Sequence, residues 1–199
     1  MLRTMWALLA SGILVVSLPV PAGAGDKDDE MVDNPMYTAW ASFKPGATST
    51  VSENTTYSGD TNPVPDRKTI TYTLESVSPE KVVVRAVVVE QDVLGTVENA
   101  PTKHTYPAKL KKSYVAEAIP ELAAKKGEET VKWEGKEVKC ATLTGSYKKA
   151  GDEVEFKICT NDKVPGGIVK RTRTLKQKDD TVTTTVTLQS YSAKGKGKE

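Results

Sequence analysis

Two stretches, Glu137–Tyr147 and Asp152–Thr160, constrain the fold more than any other feature, because laid antiparallel they match position by position. With Cys140 opposite Cys159, Ala141 faces Ile158, Leu143 faces Phe156 and Gly145 faces Val154. The other side pairs Thr142 with Lys157, Thr144 with Glu155 and Ser146 with Glu153. Side chains alternate faces along a strand, so a one-residue slip would set polar groups against apolar ones. Lys148–Gly151 closes the hairpin, and Gly151 can take a positive φ without penalty.

Opposed residues on neighbouring antiparallel strands lie within reach of a disulfide. In this register the pair Cys140–Cys159 is expected to be bonded, on the exposed face of the hairpin, by about 3 kcal/mol of chain-entropy stabilisation. Two free thiols are the alternative. A redox pair is disfavoured, because there is no C-x-x-C and no helix start beside either cysteine.

Two more hairpins follow from alternation. Arg67–Val77 and Lys81–Glu90 align Ile70 with Val88, Tyr72 with Ala86, Leu74 with Val84 and Ser76 with Val82, and Glu75 with Val83 on the other face. Val82–Val89 is apolar on both faces, which places it centrally and calls for a cover. Ile168–Leu175 and Thr181–Tyr191 form the third hairpin, with Val182, Val186 and Leu188 on one face. Tyr37–Phe43 reads as a strand or short edge segment, and the threonine-rich Ala47–Tyr57 as a solvent-facing strand. Ala116–Lys126, with Pro120 in its first turn and Gly127 as its cap, is the helix candidate. The expected fold is mainly β: a curved antiparallel sheet or half-barrel with one short helix covering its concave side.

The ends carry different signals. Arg3, the apolar run Met5–Val20 and the small residues Ala22 and Ala24 read as a secretory signal over 1–24, cleaved after Ala24. Residues 25–33 are an acidic linker, 34–192 one β-rich domain and 193–199 a basic, disordered tail. The expected location is exported, periplasmic or extracellular, with no membrane span left after cleavage.

Charge is nearly balanced, 28 Lys and Arg against 26 Asp and Glu, so nothing steers the chain to nucleic acid. One histidine, His104, cannot build a zinc site and stands without a serine or carboxylate pattern. No G-x-S-x-G, H-E-x-x-H or phosphate-loop motif occurs, so no enzyme and no cofactor are expected.

The run Phe156–Lys170, through Val164-Pro165-Gly166-Gly167, resembles a signature of exported bacterial proteins of uncharacterised function. In these a strand leads through an aspartate-containing turn and Val-Pro-Gly-Gly to another strand, often with tryptophan where Cys159 stands. The series of long strands with one helix is similar to the LolA- and LolB-like lipoprotein carriers, half-barrels whose concave sheet holds acyl chains. That similarity implies a non-enzymatic binding domain for a hydrophobic ligand or lipid-linked partner. Tyr72, Leu74, Val84, Leu143, Phe156 and Ile158 are the residues expected to line the concavity, unless they serve only as core. The alternative is a domain that binds another envelope protein through a sheet edge, at Ala47–Tyr57 or Thr181–Tyr191.

Overall fold

Short alternating segments broken by turns give strands, and strands take up most of the chain. The computed structural model describes residues 30–58, 66–92, 95–114, 124–149, 151–177 and 180–194. In chain order these hold β1 (Met31–Asp33), α1 (Pro35–Ala41), β2 (Thr48–Tyr57), β3 (Asp66–Val77), β4 (Lys81–Asp92), β5 (Gly95–Glu98), β6 (Thr102–Pro107) and β7 (Lys109–Lys111). There follow β8 (Lys125–Trp133), β9 (Lys136–Lys149), β10 (Asp152–Thr160), β11 (Ile168–Lys176) and β12 (Thr181–Ser192). Ten of the strands form one antiparallel sheet in the order β5-β4-β3-β2-β12-β11-β10-β9-β8, with β6 also paired to β4. The expected signal segment and the end of the expected tail lie outside the described residues. The last part of the acidic linker is strand, since β1 pairs with β7 and Asp33 meets Lys109 at 2.6 Å.

The sheet is open but curled. β8 and β12 are four strand intervals apart, roughly 19 Å in a flat sheet at ~4.8 Å per interval. Yet Trp133 Nε1 on β8 donates to the Leu188 carbonyl on β12 at 3.0 Å, and its ring lies 5.4 Å from that of Tyr191. A register break between Leu188 and Ser190 interrupts the β12–β2 ladder at that carbonyl. The curl therefore leaves a concave and an outer face. The outer face is hydroxyl-rich: Thr50 and Thr71 share a hydrogen bond of 3.1 Å across β2–β3, and Thr174 and Thr183 one of 3.4 Å across β11–β12.

The β3–β4 register follows the sequence reading from Arg67 to Leu74 and then breaks. Glu75 is the extra residue of a bulge, so Ser76 pairs with Val83 rather than Val82. The β9–β10 hairpin is shifted by two residues from the expected pairing: Ile158 faces Leu143, Phe156 faces Gly145 and Cys159 faces Thr142. A two-residue shift leaves every side chain on its own face, so alternation cannot detect it. It tightens the turn, leaving two residues between Lys149 and Asp152, with Gly151 at φ 94°.

Among the described residues the helix that covers the sheet is α1, and most of the expected helix Ala116–Lys126 falls on residues that are not described. Residues 115–123 lie outside the described residues, and Lys125 and Lys126 belong to β8. The expected strand Tyr37–Phe43 is instead helical as far as Ala41, because Asn34 caps the helix, accepting from the Met36 N–H at 3.0 Å, with Pro35 beside it. The helix turns Trp40, 2% exposed, toward Leu74, Val82 and Val84, covering the apolar β4 as that strand required. The threonine-rich strands are not edges: β2 lies between β3 and β12, and β12 between β2 and β11.

The Val-Pro-Gly-Gly turn fastens the other side of α1. Val164 and Pro165 are buried, and the Gly166 N–H donates to the Ala39 carbonyl at 3.0 Å. Gly166 sits at φ 78°, and a Cβ there would lie 2.8 Å from Trp40 Cζ2. Gly166→Ala therefore combines a left-handed backbone penalty with a ring clash, and is expected to cost about 1–3 kcal/mol in urea unfolding. An unchanged midpoint would show that the turn does not hold the helix.

Candidate functional site

The six residues expected to line a concavity fall into two groups. Leu74 and Val84 are 0% exposed beneath Trp40, so these two are core. Tyr72 packs against both apolar clusters, and its burial pushes the phenol well above its usual range. Leu143, Phe156 and Ile158 lie at the other end of the same face, on β9 and β10, with Leu143 and Ile158 half-buried. Ala124, just before β8, approaches this group: a Cβ on Gly145 would lie 3.5 Å from it and 3.2 Å from the Phe156 ring.

Following the register across the sheet shows what joins the groups. One row runs from Leu143 through Ile158, Arg171 and Val186 to Glu53 and Lys68. The next runs from Gly145 through Phe156, Arg173 and Thr184 to Thr55. The floor is thus apolar over β9 and β10, carries charge on β11, β2 and β3, and has Val186 and Thr184 of β12 between them.

Glu53 is the unusual member. It is 3% exposed, and no hydrogen bond or ion pair holds its carboxylate among the described residues. Burial raises its pKa, and the charges of Arg171 and Lys68 pull it partly back. Lys68 pairs with Glu90 at 3.2 Å. Arg173 donates to the Tyr147 hydroxyl at 2.7 Å and lies 5.8 Å from that ring's centre, whereas Arg171 makes no ion pair among the described residues. These residues were legible in principle: Glu53 is in phase with Val51 and Thr55, and Arg171 and Arg173 with Val169 and Leu175.

The cysteines form no disulfide. The two-residue shift sets Cys140 opposite Glu129 and Cys159 opposite Thr142 and Lys170. Both thiols are buried rather than exposed, because the curl brings Val131, Trp133 and Val138 against the same cluster. Cys159 donates to Glu129 Oε1 at 2.6 Å, and Lys157 pairs with the same carboxylate. Burial, then the adjacent Glu129 carboxylate, pushes the Cys159 thiol up to about 12. Such a thiol is protonated near neutrality and is no nucleophile.

A depression of about 440 Å³ is lined by Thr144, Ser146, Glu155, Lys157, Thr172 and Thr174 with Gly145 and Phe156. It does not lie between sheet and helix. Among the described residues no group of His, Cys, Asp and Glu is arranged for a metal ion, and no helix is long and apolar enough to cross a membrane. His104 is buried on β6, its Nε2 3.0 Å from Thr102 Oγ1 and its Nδ1 without a partner. No protein-family model, curated protein or solved structure matches the chain.

Two outcomes follow. In denaturant without reductant both cysteines are expected to alkylate, adding two labels by intact mass, while the folded protein labels slowly. A mass that changes only after reduction would restore the disulfide. For His104, burial lowers the pKa below the ordinary 6.5, so the unfolded chain takes up a proton first. Its contribution to stability is complete above pH 6.5 and is lost as pH falls below it. Thermal melts from pH 7 to 5 should show wild type losing stability relative to His104→Leu; a constant difference between the two would refute this.

Proposed function

We propose that this chain is an exported, non-enzymatic binding domain that holds a hydrophobic or lipid-linked ligand against the concave face of its sheet. The observation that carries the reading is the composition of that face away from α1. There Leu143, Tyr147, Ile158, Leu175 and Val182 remain half-exposed, although Trp40 fully covers the other end. Apolar side chains left partly open on the inner side of a curled sheet suit an apolar ligand better than plain core.

Capture of another envelope protein through a sheet edge is a second reading, and it moves to β8, which ends the sheet. Exposed Lys125, Lys126, Glu128 and Lys132 line that strand, the kind of charge that keeps edges apart. The concave-face reading is therefore preferred.

Native mass spectrometry of protein purified from its own envelope is expected to show an adduct that organic extraction removes. Ile158→Glu should abolish the adduct while leaving the fold, read by circular dichroism, in place. No adduct in any preparation, together with no saturable binding of a fluorescent fatty-acyl probe, would end this reading.

A further inference from the structure

The charged half of the concave floor is not accounted for by apolar binding. Glu53 is nine-tenths buried, with no hydrogen bond or ion pair among the described residues. Burial disfavours the charged form of Glu53, and the Arg171 and Lys68 charges offset this only in part, so among the described residues the carboxyl is open to a further hydrogen-bonding partner. Arg171 and Arg173 stand two residues apart on β11, hence on one face, and Arg173 is held in place by Tyr147. Together with Glu53 they carry one net positive charge, while Lys68 is matched by Glu90.

We propose that Arg171, Arg173 and Glu53 form a head-group subsite for a long-chain carboxylate, whose acyl chain runs over Leu143, Phe156 and Ile158. The inference rests on the binding reading above and specifies its ligand. A planar carboxylate fits guanidinium N–H groups in pairs, and its negative charge faces the positive charges of Arg171 and Arg173. Glu53 contributes as a donor. Its pKa is already raised by burial, and a second negative charge beside it raises it further, against the pull of Arg171 and Lys68. In the complex its carboxyl hydrogen is donated to the ligand carboxylate. The register spaces head and tail: Arg171 lies directly across from Ile158, and Arg173 from Phe156.

The test compares oleate, oleyl alcohol and dodecyl phosphate on the full chain by displacement of a fluorescent fatty-acyl probe. Wild type is expected to prefer oleate over oleyl alcohol, and Arg171→Gln to weaken oleate by about tenfold or more while leaving the alcohol within about twofold. Glu53→Gln should retain oleate, since the amide still donates. The neutral pair Glu53→Gln/Arg171→Gln removes the isolated buried charge that the single arginine variant leaves behind, and should lose oleate preference with the fold intact. If the alcohol binds as well as oleate and Arg171→Gln changes neither, the head-group subsite is wrong and the apolar site stands. Equal or tighter, Arg171-dependent binding of dodecyl phosphate would overturn the carboxylate assignment. If no ligand binds wild type, the binding reading itself falls.

Discussion

The contact between Trp133 and the Leu188 carbonyl sets the shape on which the rest depends. It ties β8 to a strand four intervals away, on the side where Val131, Trp133 and Val138 pack. With it they close over Cys140, Cys159, Val186 and Leu188 as one cluster. The interruption of the β12–β2 ladder at Leu188–Ser190 is part of the same device. A regular ladder twists evenly; an interruption at one carbonyl lets a side chain from a distant strand bind there and bends the sheet locally. The parity of burial in β10 records the bend. Val154 and Phe156 are buried at one end and Cys159 at the other, one residue out of phase.

How far the sequence could be read depended on what alternation senses. The β3–β4 pairing was legible up to Leu74 because both strands are strongly patterned there. Glu75 was not, since a bulge adds a residue without changing composition. In β9–β10 the faces were legible and the register was not. The helix α1 was misread because Tyr37, Ala39, Ala41 and Phe43 alternate as a strand would, and the Asn34-Pro35 cap is the signal that decides it. β2 and β12 looked like edges because threonine on their outer side weakens the contrast between faces. Threonine favours strands without requiring burial on that side, so it suits the middle of a sheet with one wet face.

The same limit hid the charged floor. Leu143, Phe156 and Ile158 stand out as apolar residues in phase, whereas Glu53, Arg171 and Arg173 read as wet-face residues until the phase of their own strands is followed. The Val-Pro-Gly-Gly run, conspicuous as a motif, proves to be a clamp for α1 through Gly166 and Trp40. Conspicuous residues thus marked architecture, and the inconspicuous charges mark the candidate site.

The ambiguity of the β9–β10 register has a kinetic side. Two alignments, two residues apart, satisfy the same pattern of faces, and only the unrealised one sets Cys140 directly across from Cys159. In the presence of a disulfide-forming oxidant, a nascent hairpin exploring both would be covalently caught in the wrong one by the two-electron oxidation of its two thiols, because the bond forms where the sulfurs meet. The native arrangement avoids that trap by burying both thiols and hydrogen-bonding Cys159 to Glu129. Under such oxidising conditions the order of events would matter: docking of β8, which brings Glu129 to Cys159, makes the hairpin's outer neighbour a guardian of its alignment.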